Sequence, residues 1–331
     1  MKAALMTATG ESDVLELTDL PTPRINAPDQ VLVRLHAAGI NPVDIKMREG
    51  FYNIQPLPFT LGWDGAGIVE AVGEKVTHVK PGDEVVVFYC SFGDRQGNYA
   101  EYVLATERNV TLKPKLFNFV EAASLPLSFL TAWESLFDRG HLESGQSVLI
   151  HAGAGGVGQY AIQLAVANGI KVYTTVGSKE KAEFVKSLGA SEAILYKETD
   201  FSEAVNELTK GEGVDATMDF VGGDIFAKSI SATKFFGYLV TLLKISPEID
   251  LSPARMRNQS IGFELVLSPL LFNLEQHQLR QRNILDQASC LVAEKKLKTH
   301  ISCTYPLAKV SDAHDEVAKG TGTGKVVLEI A

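Results

Sequence analysis

Gly153, Gly155 and Gly158 follow a short apolar run, Val148-Leu149-Ile150, and lead into Val157, Ala161, Leu164 and Ala165 at helical spacing. A strand, a Gly-x-Gly-x-x-Gly turn and a helix in that order make a dinucleotide site. The first glycine permits a tight turn. The second lets backbone N–H groups approach a pyrophosphate, and the third lets the helix pack close to the strand. Gly156 and Val157 complete the loop, whose N–H groups at the helix start face the anion. A glycine-rich turn that binds nothing is the competing interpretation, and the flanking strand and helix patterns weigh against it.

The second strand of such a unit ends in Asp or Glu when it holds the ribose 2′-hydroxyl of NAD. Here Lys171-Val-Tyr-Thr-Thr-Val176 runs into Gly177-Ser178-Lys179-Glu180-Lys181, with no carboxylate at the strand tip. Gly177 leaves space, Ser178 offers a hydroxyl, and Lys179 and Lys181 offer positive charge where a 2′-phosphate lies. The pattern predicts NADP(H). Lys179 reads equally as the solvated start of a helix; Lys181, one turn further in, has a stem long enough to fold back over the tip. Tyr196, at the end of the next strand, closes the adenosine side or simply packs on its strand.

These elements sit in a chain of 331 residues, 45% apolar and 21% charged, long enough for two well-buried domains. A formal charge of −9 argues against a nucleic-acid or anionic-membrane surface. No apolar run reaches membrane-spanning length and no signal peptide is visible, so the expected location is cytoplasmic. Three cysteines, Cys90, Cys290 and Cys303, form no framework and no metal-ligand spacing, which suits a reducing compartment.

The first part of the chain reads as β: runs over 30–36, 67–73, 83–89 and 99–104 are separated by Gly, Pro and Asp, as in a small barrel. From Gln146 strands and helices alternate, as in a doubly wound parallel sheet of α/β class. The stretch 249–286 is the least legible. A helix over 287–295, a strand over 300–304 and the closing Gly324-Lys-Val-Val-Leu-Glu-Ile330 read as a return to the first domain. The expected division is 1–123 and 263–331 for the first domain and 124–262 for the nucleotide-binding domain.

With these elements placed, the chain resembles the medium-chain dehydrogenase/reductase superfamily, specifically its zinc-free quinone oxidoreductase (zeta-crystallin-like) branch. The resemblance covers nearly the whole chain. It rests on Ala38-Gly-Ile-Asn-Pro-Val-Asp44, Leu61-Gly-Trp-Asp-Gly-Ala-Gly-Ile-Val-Glu-Ala-Val-Gly73, Val79-Lys-Pro-Gly-Asp-Glu-Val85, Leu125-Pro-Leu-Ser-Phe-Leu-Thr-Ala-Trp133, the glycine loop and the final Gly-Lys-Val-Val-Leu. It implies a Rossmann domain joined to a GroES-like small β-barrel catalytic domain. Two departures are local: Gly153 stands where the branch usually has Ser or Ala, and Val166 where it usually has a basic residue.

Zinc members of the superfamily carry a catalytic Cys, His and Cys, and many add a four-cysteine lobe. The matching positions here are Asn41, Trp63 and Leu127, and the lobe region from Cys90 to Tyr102 has one cysteine. Zinc takes about four N, S or O ligands, three from protein at a catalytic site. No metal is therefore expected, and without a Lewis acid, oxidation of a simple alcohol is disfavoured. The chemistry left is hydride transfer to an acceptor activated by conjugation, a quinone or an α,β-unsaturated carbonyl.

The resemblance places the acceptor-side candidates along the cleft between the domains: Asn41, Asp44, Lys46, Tyr52, Trp63 and Asp64. Asn41 either contacts the acceptor or sets a turn before Pro42, and Asp44 either braces the loop or takes part in the chemistry. Lys46 and Tyr52 are the nearby side chains with a proton to give at neutral pH, and solvent is a third donor. Tyr52 is the first choice for the acceptor oxygen, and Trp63 is read as a wall of the cleft. Thr131 lies where the resemblance expects a nicotinamide-side contact. The alternative function is an NADPH-binding crystallin-like or RNA-contacting protein with little turnover; the acidic balance opposes the RNA version. Branch members pair the edge strands of their nucleotide-binding sheets, so Ile261–Leu267 is the expected edge of a homodimer.

Overall fold

A computed structural model of the chain describes residues 1–52, 57–90 and 96–331. It divides into two compact units, residues 1–127 with 267–331, and residues 128–266.

The second unit is built on a six-stranded parallel sheet. Its spatial order is Glu192–Leu195, Lys171–Val176, Ser147–Ile150, Val214–Asp219, Thr233–Thr241, Ser260–Phe263. The chain starts in the middle, at Ser147–Ile150, moves outward one way, then crosses back to the other side. The strand order therefore reverses between Ser147–Ile150 and Val214–Asp219, and the glycine loop follows the first of these strands. Ligands of open parallel sheets bind beyond the carboxyl ends of the strands at such a reversal. Val148, Leu149, Ile150, Val172, Ala216 and Met218 are fully buried, as expected for strands covered on both faces. The helices open on caps that the sequence provides. Ser178 Oγ accepts from Lys181 N at 3.3 Å ahead of helix Lys179–Ser187, and Asp200 Oδ1 accepts from Ser202 N at 2.9 Å ahead of helix Phe201–Leu208.

The first unit carries a seven-stranded sheet in the order Ile301–Pro306, Lys325–Glu329, Gln30–Ile40, Asp64–Val72, Glu84–Phe88, Val110–Leu112, with Tyr102–Thr106 also on Gln30–Ile40. Val31, Val33 and Leu35 alternate along their strand and pack with Val69, Val85, Val87, Val103 and Val110. A smaller sheet pairs Lys2–Met6 with Leu15–Asp19 and Phe59–Thr60. The closing strand runs antiparallel to Gln30–Ile40 with Val326 opposite Ile40, so Lys325 comes level with Asn41, the residue that opens helix Pro42–Arg48.

Several elements differ from the sequence-based expectation. The 249–286 stretch holds helix Ser252–Met256, strand Ser260–Phe263 and the start of a long helix, Glu275–Ala293, of which only the last turns were expected. The strand expected over 261–267 ends at Phe263, although it is an edge strand of its sheet. Part of the expected lobe region, residues 91–95, lies outside the described residues.

Candidate functional site

In the second unit the glycine loop has the geometry that its spacing requires. A β-carbon at Gly158 would lie 2.4 Å from Ala152 O and 2.6 Å from Gly153 Cα, so only glycine lets helix Gly156–Ala167 sit this close to the turn. Gly155 N donates to Ala152 O at 2.9 Å, and Ala152 itself takes the left-handed conformation at φ 53°. A non-glycine residue held there carries strain of roughly 1–2 kcal/mol. Gly155 is the N-cap, which leaves the N–H groups of Gly156, Val157 and Gly158 in the first turn without intrahelical acceptors. Gly153 abuts Thr174: a β-carbon there would stand 2.0 Å from Thr174 Oγ1, which donates to Ile150 O at 2.7 Å. The side chain of Thr174 thus fills the space that a residue larger than glycine would need at 153.

At the tip of the next strand, Gly177 lies under the Tyr196 ring, whose Oη is 3.0 Å from where a β-carbon would be. Tyr196 is half exposed, so it leans over the glycine instead of packing into the sheet. Ser178 caps the helix, and Lys181 follows in its first turn. Thr131 is buried in helix Pro126–Trp133.

In the first unit the expected acceptor-side residues fall into two groups. Asn41, Asp44, Trp63 and Asp64 are buried to 1% exposure or less. Asn41 N donates to Asp44 Oδ2 at 2.8 Å, and Asn41 Nδ2 donates to Asp64 Oδ2 at 2.9 Å. Leu127 N donates to Asp64 Oδ1 at 2.8 Å. Asn41 and Leu127, two of the three positions that the resemblance equates with zinc ligands, therefore meet at the Asp64 carboxylate, but with Trp63 they offer no ligand set. Asn41 is committed to Asp64, the Trp63 indole N–H points to Met47 Sδ at 3.1 Å, and Leu127 has no donor atom in its side chain. Among the described residues, no group of three or more His, Cys, Asp or Glu is placed to hold a metal ion. Trp63 packs against Phe88 as a core residue, not as an exposed wall.

The second group is accessible. Lys46 and Tyr52 are partly exposed, Lys46 Nζ lies 5.8 Å from the centroid of the exposed Phe51 ring, and Phe51 meets Tyr52 edge-on. Partial burial raises the Tyr52 phenol above its usual pKa, which keeps it protonated.

One residue escaped sequence reasoning. Lys325 is 4% exposed, and its ammonium donates to Asn41 Oδ1 and to Asp64 Oδ2 at 3.4 Å. Burial pushes the Asp64 carboxyl up and the Lys325 ammonium down, and their mutual attraction opposes both shifts. Among the described residues no cation lies within hydrogen-bond reach of Asp44. Its burial, against the Asn41 N–H and together with the nearby Asp64 charge, pushes its pKa up to about 7. Around neutrality the buried Asp44 carboxyl is therefore protonated part of the time. The only sequence signal for Lys325 was its place in the closing Gly-Lys-Val-Val-Leu motif.

Comparison with known proteins agrees with this architecture. Residues 27–115 match the alcohol dehydrogenase GroES-like domain family and residues 156–263 the zinc-binding dehydrogenase family. Quinone oxidoreductase of Homo sapiens is 31% identical over 331 residues, spanning 99% of this chain and 97% of that protein. The structure of the quinone oxidoreductase from Coxiella burnetii is similar with a TM-score of 0.85 and 35% identity, over 100% of this chain and 99% of that one. A mycobacterial protein solved in complex with NADPH is similar with a TM-score of 0.88 and 30% identity, over 99% of this chain and 100% of that one. The chain therefore belongs to the medium-chain dehydrogenase/reductase superfamily, in its quinone oxidoreductase branch, and is an oxidoreductase with a Rossmann-type nucleotide-binding unit and a GroES-like barrel unit.

Proposed function

We propose that this protein is an NADPH-dependent, zinc-independent reductase that delivers hydride to a quinone or an α,β-unsaturated carbonyl. The observation that carries the cofactor assignment is the strand tip at Gly177. The strand itself ends without a carboxylate; Ser178 caps the following helix and Lys181 stands in its first turn next to Glu180, with Tyr196 leaning over the glycine. The mycobacterial relative solved with NADPH supports the same choice.

In this reading the N–H groups of Gly156, Val157 and Gly158 bind the pyrophosphate, with Gly153 and Gly155 shaping the turn. Ser178 and Lys181 hold the 2′-phosphate, Gly177 and Tyr196 frame the adenosine ribose, and Thr131 faces the nicotinamide side. A bound nicotinamide supplies the hydride. The conjugated acceptor spreads the resulting charge over its own π-system, so the protein's task is to orient the acceptor and offer hydrogen bonds to the developing oxyanion. Tyr52 and Asn41 are the donors we assign to that oxygen, and Lys46 is a second source of the proton. Asp44 and Asp64 hold Asn41 in place, and Trp63 backs the loop that carries them.

Zinc independence is supported by the commitments of Asn41 and Trp63 and by the lack of any donor on Leu127. The acceptor class is supported by the quinone oxidoreductase relatives. A homodimer through the edge strand Ser260–Phe263 is supported by the exposed Phe263 and Leu265 at and just beyond its end. A cytoplasmic setting is supported by the three free cysteines. Metal analysis with turnover before and after EDTA tests the reading: activity that survives stripping is expected, and activity restored only by added zinc would overturn it.

A further inference from the structure

We propose that Lys325 is a positioning residue for hydride transfer, one that holds the Asn41 side-chain amide in the orientation that keeps an Nδ2 hydrogen for the acceptor oxygen. The inference rests on the reading of Asn41 as a contact of the acceptor and goes beyond it by naming what fixes that contact.

Strand register brings the two residues together. Val326 stands opposite Ile40, so the first residue of the closing strand arrives beside Asn41 although 284 residues separate them in sequence. A carboxamide has two ends of nearly equal size and opposite hydrogen-bonding character, and only its partners decide which way it points. Here both ends are specified. Asn41 Nδ2 donates to Asp64 Oδ2 at 2.9 Å, while Asn41 Oδ1 accepts from the Lys325 ammonium. Turning the amide over would set N–H groups against the ammonium and a carbonyl against the carboxylate. Asp64 is itself held from the other side by Leu127 N at 2.8 Å and by Lys325 at 3.4 Å. One Nδ2 hydrogen is committed to Asp64, and the amide has a second.

Energetics argue that this arrangement is not kept for stability. A buried ion pair is seldom more stabilising than apolar side chains of the same volume, and both Lys325 and Asp64 are buried. What such a pair does supply is a defined geometry, and the group whose geometry it defines is Asn41. Lys325 touches the reaction only through that amide.

The test uses the whole chain and five variants: Lys325→Met, Lys325→Arg, Asn41→Ala, Lys325→Met with Asn41→Ala, and Asn41→Asp for assignment. The first readout is the pair of Asn41 side-chain N–H signals in the proton–nitrogen NMR spectrum, identified as the pair lost in Asn41→Asp. The second is steady-state reduction of benzoquinone by NADPH. In Lys325→Met the amide signals should shift and exchange faster, and kcat should fall about tenfold with NADPH affinity changed less than about twofold. Lys325→Arg should recover most of the loss. Adding Asn41→Ala to Lys325→Met should cost little more, because the two residues act as one unit.

Should Lys325→Met fail to fold, Lys325→Met with Asp64→Asn removes both buried charges and is read against Asp64→Asn alone, so that the change at Asp64 cancels. Unmoved amide signals, or moved signals with unchanged kcat, or losses that multiply in the double variant, would each overturn the proposal. If the native protein reduces no acceptor, the functional reading fails, and the amide signals still decide whether Lys325 holds Asn41.

Discussion

The contact between Gly153 and Thr174 gives a prediction particular to this chain. Gly153→Ala adds one methyl group, whose carbon would stand 2.0 Å from Thr174 Oγ1, 3.0 Å from Thr174 Cβ and 3.1 Å from Ile162 Cδ1. The hydroxyl is not free to turn away, because it donates to Ile150 O at 2.7 Å in a fully buried strand pair. Relief requires either loss of that hydrogen bond, worth about 1 kcal/mol, or a backbone shift of the kind that overpacking imposes at about 1–3 kcal/mol. The expected cost of Gly153→Ala is about 2–3 kcal/mol. Thr174→Ala alone loses the hydrogen bond and a buried methyl group, about 1–2 kcal/mol. Combined, the two should cost less than their sum by about 1–2 kcal/mol, because the second substitution removes Thr174 Oγ1, the atom that the first one strikes most closely, and leaves only the contacts at 3.0 and 3.1 Å. Urea unfolding of all four proteins at one pH reads the coupling directly. Additivity to within about 0.5 kcal/mol would refute the claim that Thr174 occupies the space of a residue-153 side chain.

Lys181→Ala should weaken NADPH binding about tenfold, about 1.4 kcal/mol, and leave NADH unchanged; fluorescence titration giving equal losses for both would make the lysine structural. Tyr52→Phe should lower kcat with NADPH affinity intact, and unchanged kinetics would assign the proton to solvent. Glu264 is buried beside Glu134, and its pKa is raised to about 9 by burial and by that neighbour, against the pull of Arg139. The folded protein therefore holds a proton on Glu264 that the unfolded chain releases near its ordinary value of 4.5. The associated stability is fully present below that value and is lost as pH rises towards 9. Glu264→Gln should flatten this loss by up to roughly 1 kcal/mol per pH unit, and parallel stability–pH curves for the two proteins would contradict it. Light scattering should give twice the chain mass of 35.9 kDa at micromolar concentration, and a species of the chain mass alone would exclude the edge-strand dimer.

The nucleotide-binding half was legible because its signals are local. Val148-Leu149-Ile150 and the three glycines lie within a dozen residues, and each glycine meets backbone or side-chain atoms that forbid a larger residue or crowd it. The helix Glu275–Ala293 was half missed for a physical reason. Its buried face begins with Gln278 and Gln281 before reaching Ile284, Leu285, Ala288 and Val292, so its first turns show no apolar period. Gln278 is tolerated inside because Arg108 Nε donates to its Oε1 and its Nε2 donates to Pro269 O, both at 2.8 Å. The acceptor-side constellation was legible as residue types and not as geometry. Asn41, Asp44 and Asp64 were visible, but their burial was not, and neither was the Lys325 ammonium that reaches Asn41 and Asp64 through strand register across the length of the chain. Trp63 shows the same limit, since an aromatic at a lost ligand position looks alike whether it lines a cleft or fills a core.

Metal-free use of NADPH is tested most directly by kcat/KM for NADPH and for NADH with benzoquinone and a cyclic enone, on protein stripped of metal with EDTA. Turnover without metal and a preference for NADPH of at least about tenfold are expected on whichever acceptor is reduced. Equal use of NADH, a requirement for zinc, or NADPH binding with no reduction of either acceptor would contradict this expectation. The last of these would favour a nucleotide-binding protein with little catalysis.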